Sequence, residues 1–461
     1  MQQIFVNGAF ISAATGTVRE ILNPATLERL GAVPGCGADD VDRAVAAARA
    51  AQPAWQALPA AHKGALLLDV GARIRAQAGD LAILLTRETG KPLRESADCV
   101  SAVARMFDAA SVIAAKGAGS PGISAGVVAA LTPFNFPLLF TAGAIVSALT
   151  ADSTIVCKPA QQNPLSTLRL AGAFIGLPPG AVNVITGGAE TGGALARHPD
   201  VTQVKFTGTA AVGKAIAAIA HRSAAIESGC IGALIVCADA DLEVTVPAIA
   251  WARLFNGGQV CTSGKHIYVE RSIAADFVER MHQCIGFLDV DDPLKSPTDL
   301  GPLISLDAAN RVEDQVGRSL REGAKLILGG RRFRPSGLPG HFFQPTILAS
   351  VPAGGVPTRE EILGPVLTVT SVTDAAEALR LSESDHRCGA SVYTRDAQAA
   401  MKLLPSGWAG LIRINDPPAG NAGPFGLMRH SDLRHWLGND AQEHVAPFVQ
   451  PKAWWFPYRP S

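Results

Sequence analysis

With 461 residues, 48% of them hydrophobic and 17% charged, the chain has the balance of a folded globular protein of two or three domains, which excludes disorder as its default state. Forty basic side chains cancel forty acidic ones, excluding a nucleic-acid footprint or a polybasic membrane anchor and leaving a small molecule as the expected partner. Eight cysteines are scattered without a Cys-x-x-Cys pair, so neither a disulfide framework nor a zinc site is expected, and a reducing cytoplasm fits.

The stretch Met1 to Gly8 lacks the basic and apolar regions of a signal peptide. Short apolar pairs, Phe5-Val6, Phe10-Ile11 and Ile21-Leu22, alternate with turn signals and read as short strands of an entry arm over residues 1–34. Helical spacing follows over Val41 to Gln56, His62 to Ala78, Asp80 to Glu88 and Ala97 to Ala115. Gly117 to Gly122 matches Gly-x-Gly-x-x-Gly, but a helix precedes it, Pro121 intrudes and a strand follows, so it reads as a connector and not as a dinucleotide fingerprint. The long apolar span Ile123 to Thr150 is interrupted by Pro133, Asn135 and Pro137, which makes it a buried strand, a loop and a buried helix instead of a membrane span.

From Gly126 strands and helices alternate as far as Ala220, and a second alternating series runs from Ala233 to about Leu411. Alternation of this kind implies right-handed crossovers, so the fold class is α/β with two doubly wound parallel-sheet domains. Nucleotide sites lie at the carboxyl ends of such strands. The C-terminal stretch Trp454 to Tyr458 is apolar enough to need a surface to dock on.

Four stretches carry candidate chemistry. Cys261 follows a Gly-Gly-Gln turn at the end of the helix-like run Pro247 to Phe255, a posture that opens its sulfur to a substrate; the competing reading is a buried small residue. Asn135 sits in Leu131-Thr132-Pro133-Phe134-Asn135-Phe136-Pro137, a loop stiffened by prolines in which a rigid amide donor suits an oxyanion. Gln203 to Lys214 reads as a strand, a turn through Gly208 and Thr209, and a helix whose N-terminus suits a pyrophosphate. Glu227 is a lone carboxylate in a locally apolar sequence; burial there would raise its pKa and make it a usable base. Taken singly, Asn135 equally reads as a turn former, Gly208 as a helix-packing glycine and Glu227 as a solvated helix end.

Taken together, these motifs resemble the aldehyde dehydrogenase superfamily in its non-acylating type. The resemblance runs from Asn23-Pro24-Ala25-Thr26 to the C-terminal region. It includes Glu88-Thr89-Gly90-Lys91-Pro92, Pro133 to Pro137, Cys157-Lys158-Pro159-Ala160, Phe206-Thr207-Gly208, Glu227-Ser228-Gly229, Gly258-Gln259-Val260-Cys261, Glu360 to Pro365 and Pro424-Phe425-Gly426. It implies a cofactor-binding domain over 1–115 and 126–228, a catalytic domain over 229–430, and a reduced oligomerisation arm and tail over 116–125 and 440–461. By the same resemblance Cys261 attacks an aldehyde, Asn135 and the Cys261 backbone N–H hold the oxyanion, hydride passes to NAD or NADP, and Glu227 activates the water that hydrolyses the thioester. Lys158, Gln161, Gly208, Thr209, Gly213, Glu361 and Phe134 would line the cofactor site, with Lys158 on the adenosine ribose and Glu361 on the nicotinamide ribose. Phe136, Leu139, Phe140, Gly143, Phe255 and Thr262 match the family's substrate tunnel, a mostly apolar set that suits a medium-sized or aromatic aldehyde.

Several positions depart from the family pattern. Gln161 stands where many NAD-preferring members carry a glutamate, and a neutral amide does not repel a 2′-phosphate. Leu363 replaces a phenylalanine, Cys230-Ile231 follow Glu227-Ser228-Gly229 where Gly-Lys is usual, and His266 replaces an arginine. Leu427, Asp432 and Arg434 replace glycines, and with His266 they are expected to reshape the loop near the site. The arm is short, yet at least a homodimer is expected from the aromatic tail. Arg413 offers a cation for an acidic substrate, with a solvent-facing arginine as the plainer reading. A CoA-acylating relative and a catalytically silent protein on the same fold are the alternatives; retention of Glu227 argues against the first, and joint retention of Asn135, Lys158, Glu227, Cys261 and Glu361 against the second.

Overall fold

The computed structural model describes residues 3–14, 17–116, 122–124, 126–229, 231–382, 390–396, 398, 400, 412–415 and 449–451. The chain enters through β1 (Ile4–Val6) and β2 (Ala9–Ile11), makes a hairpin of β3 (Val18–Leu22) and β4 (Arg29–Pro34), and then runs through α1 (Ala38–Ala57), α2 (Ala60–Ala76), α3 (Ala78–Thr89) and α4 (Leu93–Ala115). Helix α1 buries Val41, Ala44, Val45, Ala48, Ala51 and Trp55, the three-and-four spacing of an amphipathic helix. The Trp55 indole N–H donates to the Leu149 carbonyl at 3.0 Å, satisfying a polar atom deep in the core.

After β5 (Gly122–Ser124) come β6 (Val127–Leu131), α5 (Pro137–Thr150), β7 (Thr154–Lys158), α6 (Leu165–Ala171), β8 (Val182–Val184), α7 (Ala189–Ala196), β9 (Gln203–Gly208), α8 (Ala210–Ile219) and β10 (Ser223–Ser228). The first sheet has the order β10-β9-β6-β7-β8-β1-β2, parallel from β10 through β8. Strands β1 and β2 add to it antiparallel, so the expected entry arm is in part an edge of this sheet. Every residue of β6 and of α5 is buried, as an apolar strand and helix covered on both sides require. The chain steps from β6 to β7 and β8 on one side and later to β9 and β10 on the other, so the strand order reverses at β6.

The second series is β11 (Ala233–Val236), α9 (Leu242–Leu254), β12 (His266–Glu270), α10 (Ala274–Ile285), α11 (Leu306–Arg321), β13 (Lys325–Leu328), β14 (Thr346–Ala349), α12 (Val356–Arg359), β15 (Val366–Val372), α13 (Ala375–Ser382), β16 (Ala390–Tyr393) and β17 (Ile412–Ile414). Its order is β13-β14-β15-β12-β11-β16-β17, parallel except for β13 against β14. Helix α9 begins before Pro247 and carries that proline in its interior, with Asp241 accepting the Glu243 N–H at 3.1 Å as its N-cap. Strand β5 pairs antiparallel with β18 (Val449–Pro451), a ribbon drawn from the two segments expected to form the arm.

The fold is thus mixed α/β with two mostly parallel sheets. No helix among the described residues is long and apolar enough to cross a membrane. Cys230, the connector 117–121, Leu427, Asp432, Arg434 and the aromatic tail lie outside the described residues.

Candidate active site

The reversal point at β6 gathers three of the predicted stretches. Leu131 is in register with Lys158 of β7 and Phe206 of β9, so the Asn135 loop, Lys158 and Gly208 leave the sheet side by side at its carboxyl edge. Asn135 is buried. Its Nδ2 donates to the Gln259 carbonyl at 2.9 Å and its Oδ1 accepts the Phe136 N–H at 3.1 Å, which fixes the plane of the amide. One amide hydrogen is spent on Gln259, and the amide carries a second.

The loop bearing Cys261 approaches from the second sheet, at the amino ends of β11, β12 and β15. Asn256, Gly257 and Gly258 have φ of 54°, 62° and 71°, three left-handed residues in succession that swing the chain sharply out of α9. A side chain at Gly258 would collide with the Gly364 carbonyl, so this turn rests directly on the Glu361 to Pro365 loop. Arg253, fully buried on α9, ties the two together by donating to the Gly258 carbonyl at 3.0 Å and the Ile362 carbonyl at 2.7 Å.

The same turn is fastened to the first domain. Asn256 donates its backbone N–H to Glu95 Oε2 and its Nδ2 to the Asn135 carbonyl, each at 3.0 Å, and Lys91 Nζ reaches that carbonyl at 3.2 Å. Burial pushes the Glu95 carboxyl up to about 7, against the pull of Lys91. Glu88 is pushed up to about 7 by burial as well; its carboxylate accepts the Leu165 and Ser166 N–H groups that open α6. Neither Arg253 nor Glu95 stands out in the sequence motifs, although an arginine within the apolar run of α9 is a signal in itself.

Cys261 is partly exposed, whereas Cys36, Cys99, Cys157 and Cys237 are buried. Burial pushes the Cys261 thiol up, Lys265 draws it down, and Glu361 and Glu227 push it further up. Lys265 Nζ donates to the Cys261 carbonyl at 2.6 Å and pairs with Glu361 Oε1 at 3.0 Å. A side chain at Gly229 would meet the Glu361 carboxylate, which places Glu361 two residues past Glu227 in space as well as beside Cys261. Cys261, Glu227, Glu361 and Asn135 are therefore brought together.

Glu227 is not enclosed, so the condition of burial is not met. It lies near the end of β10, an edge strand, with 46% of its side chain exposed, its Oε1 3.4 Å from Lys205 Nζ and its Oε2 accepting the Thr207 hydroxyl at 3.2 Å. Nor is it a helix end. His266, in turn, reshapes no loop: its ring is buried on β12 between the hydroxyls of Thr368 at 2.7 Å and Thr370 at 2.8 Å, and burial pushes it down to about 3.

Along the carboxyl edge of the first sheet, burial lowers Lys158 to about 8 while its ammonium donates to the carbonyls of Pro159 at 2.7 Å and Gly187 at 3.2 Å. Gln161 Oε1 accepts from Arg19 Nη1 at 3.3 Å, so a cation stands beside the neutral amide. Phe134 is half-buried, its carbonyl accepting from Asn163 Nδ2 at 2.6 Å. Gly208 and Gly213 are packing glycines here, since side chains would strike Phe206 and Ile226 respectively. Thr209 makes no side-chain cap on α8, and Ala210, Ala211 and Val212 are exposed, so the first-turn N–H groups fit a dinucleotide's phosphates.

Of the residues expected to line a substrate tunnel, Phe136 and Phe255 stack with centroids 5.8 Å apart, and Trp251 stacks on Phe255 at 5.7 Å. Thr262 is exposed, and Leu139 is fully buried on α5. A cavity of about 300 Å³ opens beside the ring stack, walled by Trp251, Leu254, Phe255 and Leu288, with Arg94 and Asp98 among its charged residues. Neither Trp251 nor Arg94 belongs to the sequence motifs above. Arg413 lies half-buried on β17, outside this cavity lining.

A thiol, an amide donor and a carboxylate converging on a strand-edge dinucleotide cleft define the aldehyde dehydrogenase class, and the chain belongs to the aldehyde dehydrogenase family, whose profile matches residues 10–449. It is an NAD(P)-dependent enzyme of that family, oxidising an aldehyde to a carboxylic acid. It is 33% identical over 453 residues to succinate-semialdehyde dehydrogenase [NADP(+)] of Escherichia coli, covering 94% of this chain and 93% of that one. Identity and coverage are the same for glutarate-semialdehyde dehydrogenase of Pseudomonas aeruginosa. A crystal structure of betaine aldehyde dehydrogenase from Staphylococcus aureus in complex with NAD+ superimposes with a TM-score of 0.87 at 29% identity, over 92% of this chain and 88% of that one.

Proposed function

We propose that Cys261 is the nucleophile, Asn135 with the Cys261 N–H the oxyanion site, and Glu227 the base, acting on a medium-sized or aromatic neutral aldehyde. As the sulfur–carbon bond forms, the carbonyl π electrons move to oxygen, where the second Asn135 amide hydrogen and the backbone N–H receive the charge. The bound nicotinamide supplies the acceptor for the hydride that leaves carbon when that oxyanion collapses. Glu227 then takes a proton from water, the water oxygen bonds to the acyl carbon, and the sulfur departs as thiolate. Half-exposure suits Glu227 to this second step, because water reaches it directly. The first-sheet half of the chain serves the cofactor, the second supplies the thiol, and the protein works in the cytoplasm, where that thiol stays reduced.

The stacked rings of Phe136 and Phe255, on the two loops that carry Asn135 and Cys261, support the substrate assignment. Aromatic rings match an apolar aldehyde tail better than a carboxylate such as a semialdehyde carries.

For the cofactor, the neutral Gln161 with Arg19 at its oxygen favours acceptance of NADP alongside NAD. Steady-state cofactor reduction with benzaldehyde, hexanal and succinate semialdehyde, each with NAD and NADP, tests both points. The neutral aldehydes are expected to lead in kcat/KM, and Gln161→Glu is expected to weaken NADP by about tenfold with little change for NAD. Preference for the semialdehyde, or an unchanged NADP constant in the variant, would overturn the corresponding assignment.

A further inference from the structure

We propose that Lys265 is a positioning residue for the thiol: its buried ammonium, folded back onto the Cys261 carbonyl, holds Cys261 toward thiolate against the two carboxylates that face it. The backbone fixes this geometry. The Lys265 N–H donates to the Ile231 carbonyl at 2.8 Å, and a side chain at Gly264 would strike Leu234, so the chain lies tight against the amino end of β11 at this point. From there Lys265 Nζ donates to the carbonyls of Cys261 at 2.6 Å and Ser263 at 3.1 Å, with only 2% of its side chain exposed.

Charged groups reach this spot from four elements. Glu227 comes from β10 and Glu361 from the loop after α12, and both charges oppose thiolate formation; Lys265 favours it from the Cys261 loop itself, and Arg253 on α9 faces Lys265 and Glu361. Burial pushes the Lys265 ammonium toward its neutral form, and Glu361, 3.0 Å away, opposes that and holds the proton on. Satisfying two loop carbonyls does not require a cation. A neutral amide or hydroxyl would do so without the desolvation cost of a buried ammonium. What the ammonium adds is charge, and its nearest acceptor belongs to the residue that carries the thiol.

The inference rests on Cys261 being the nucleophile, so its test reads the thiol and not turnover. Alkylation of Cys261 by iodoacetamide would be followed by peptide mass spectrometry in cofactor-free protein between about pH 6 and 10, the range in which thiols titrate. Lys265→Gln keeps an N–H donor for the carbonyl and removes the charge; Lys265→Arg keeps the charge. In Lys265→Gln the midpoint of the profile is expected to rise by about one unit or more, slowing alkylation near neutral pH about tenfold with the high-pH plateau unchanged. Lys265→Arg is expected to keep its midpoint within a few tenths of a unit of wild type. An unshifted midpoint in Lys265→Gln, or a rate lowered equally at every pH, would make Lys265 a structural strut and overturn the proposal. Should Lys265→Gln not fold, Lys265→Arg decides, because a midpoint raised by about a unit with the charge retained contradicts it equally. A shifted profile in a protein whose Cys261→Ala variant still turned over would leave the pairing intact and count against the catalytic mechanism alone.

Discussion

Cys261→Ala is expected to lower kcat/KM for every aldehyde substrate by about 10⁴-fold or more, with the fold and cofactor affinity kept. No other described cysteine is placed to substitute. Burial pushes the thiols of Cys36 and Cys99 up to about 11 and that of Cys237 up to about 12, and it raises Cys157 as well. Cys284 is partly exposed but lines the cavity on the far side of Phe255, away from Asn135. The loss should appear in the chemical step. A thermal melt close to wild type and unchanged quenching of tryptophan fluorescence by NADPH would show that the scaffold and cofactor site survive. Residual activity above about a hundredth of wild type would place the nucleophile elsewhere.

Asn135→Ala comes second in size, with kcat expected to fall about 10²- to 10³-fold and KM to change little, because an oxyanion donor acts on charge that develops only as the adduct forms. The amide has a structural part too. Its loss leaves the Gln259 carbonyl and the Phe136 N–H without the partners they have at 2.9 and 3.1 Å, which is expected to lower stability by about 1–3 kcal/mol. Asn135→Asp separates the two parts. Aspartate still accepts the Phe136 N–H but cannot donate to the oxyanion, and it adds a like charge, so kcat should fall at least as far as in the alanine variant. If either variant melted lower yet retained kcat, Asn135 would be a brace and not a catalytic residue.

How much of this was legible in the sequence depended on whether the deciding neighbours were local. The strand, Pro-bounded loop and helix from Val127 to Thr150 read correctly because β6 and α5 are buried on every side, and continuous apolar runs broken by proline signal that without tertiary information. The burial of Glu227 stays open in the sequence because the apolar residues around it do not say whether a strand is central or at an edge; among the described residues β10 pairs with β9 alone, and the carboxylate is half-exposed. His266 looked like a disruption because its compensation, Thr368 and Thr370, lies more than a hundred positions along the chain on β15. Glu95 and Arg253 fasten the Cys261 turn through bonds to Asn256, Gly258 and Ile362, and the longest of these spans 161 residues of sequence. The site also sits at the carboxyl edge of one sheet and the amino edge of the other, a junction that no single α/β repeat announces.

The most direct measurement is a rapid-mixing experiment with Glu227→Gln, benzaldehyde and NADP. With the base removed and the thiol intact, one equivalent of NADPH per active site should form in a burst, followed by slow or no turnover, and quenched protein should carry one acyl group on the Cys261 peptide. Oxidation of the aldehyde at the steady wild-type rate, or a burst that leaves Cys261 unmodified, would contradict a thioester at this residue resolved by this carboxylate.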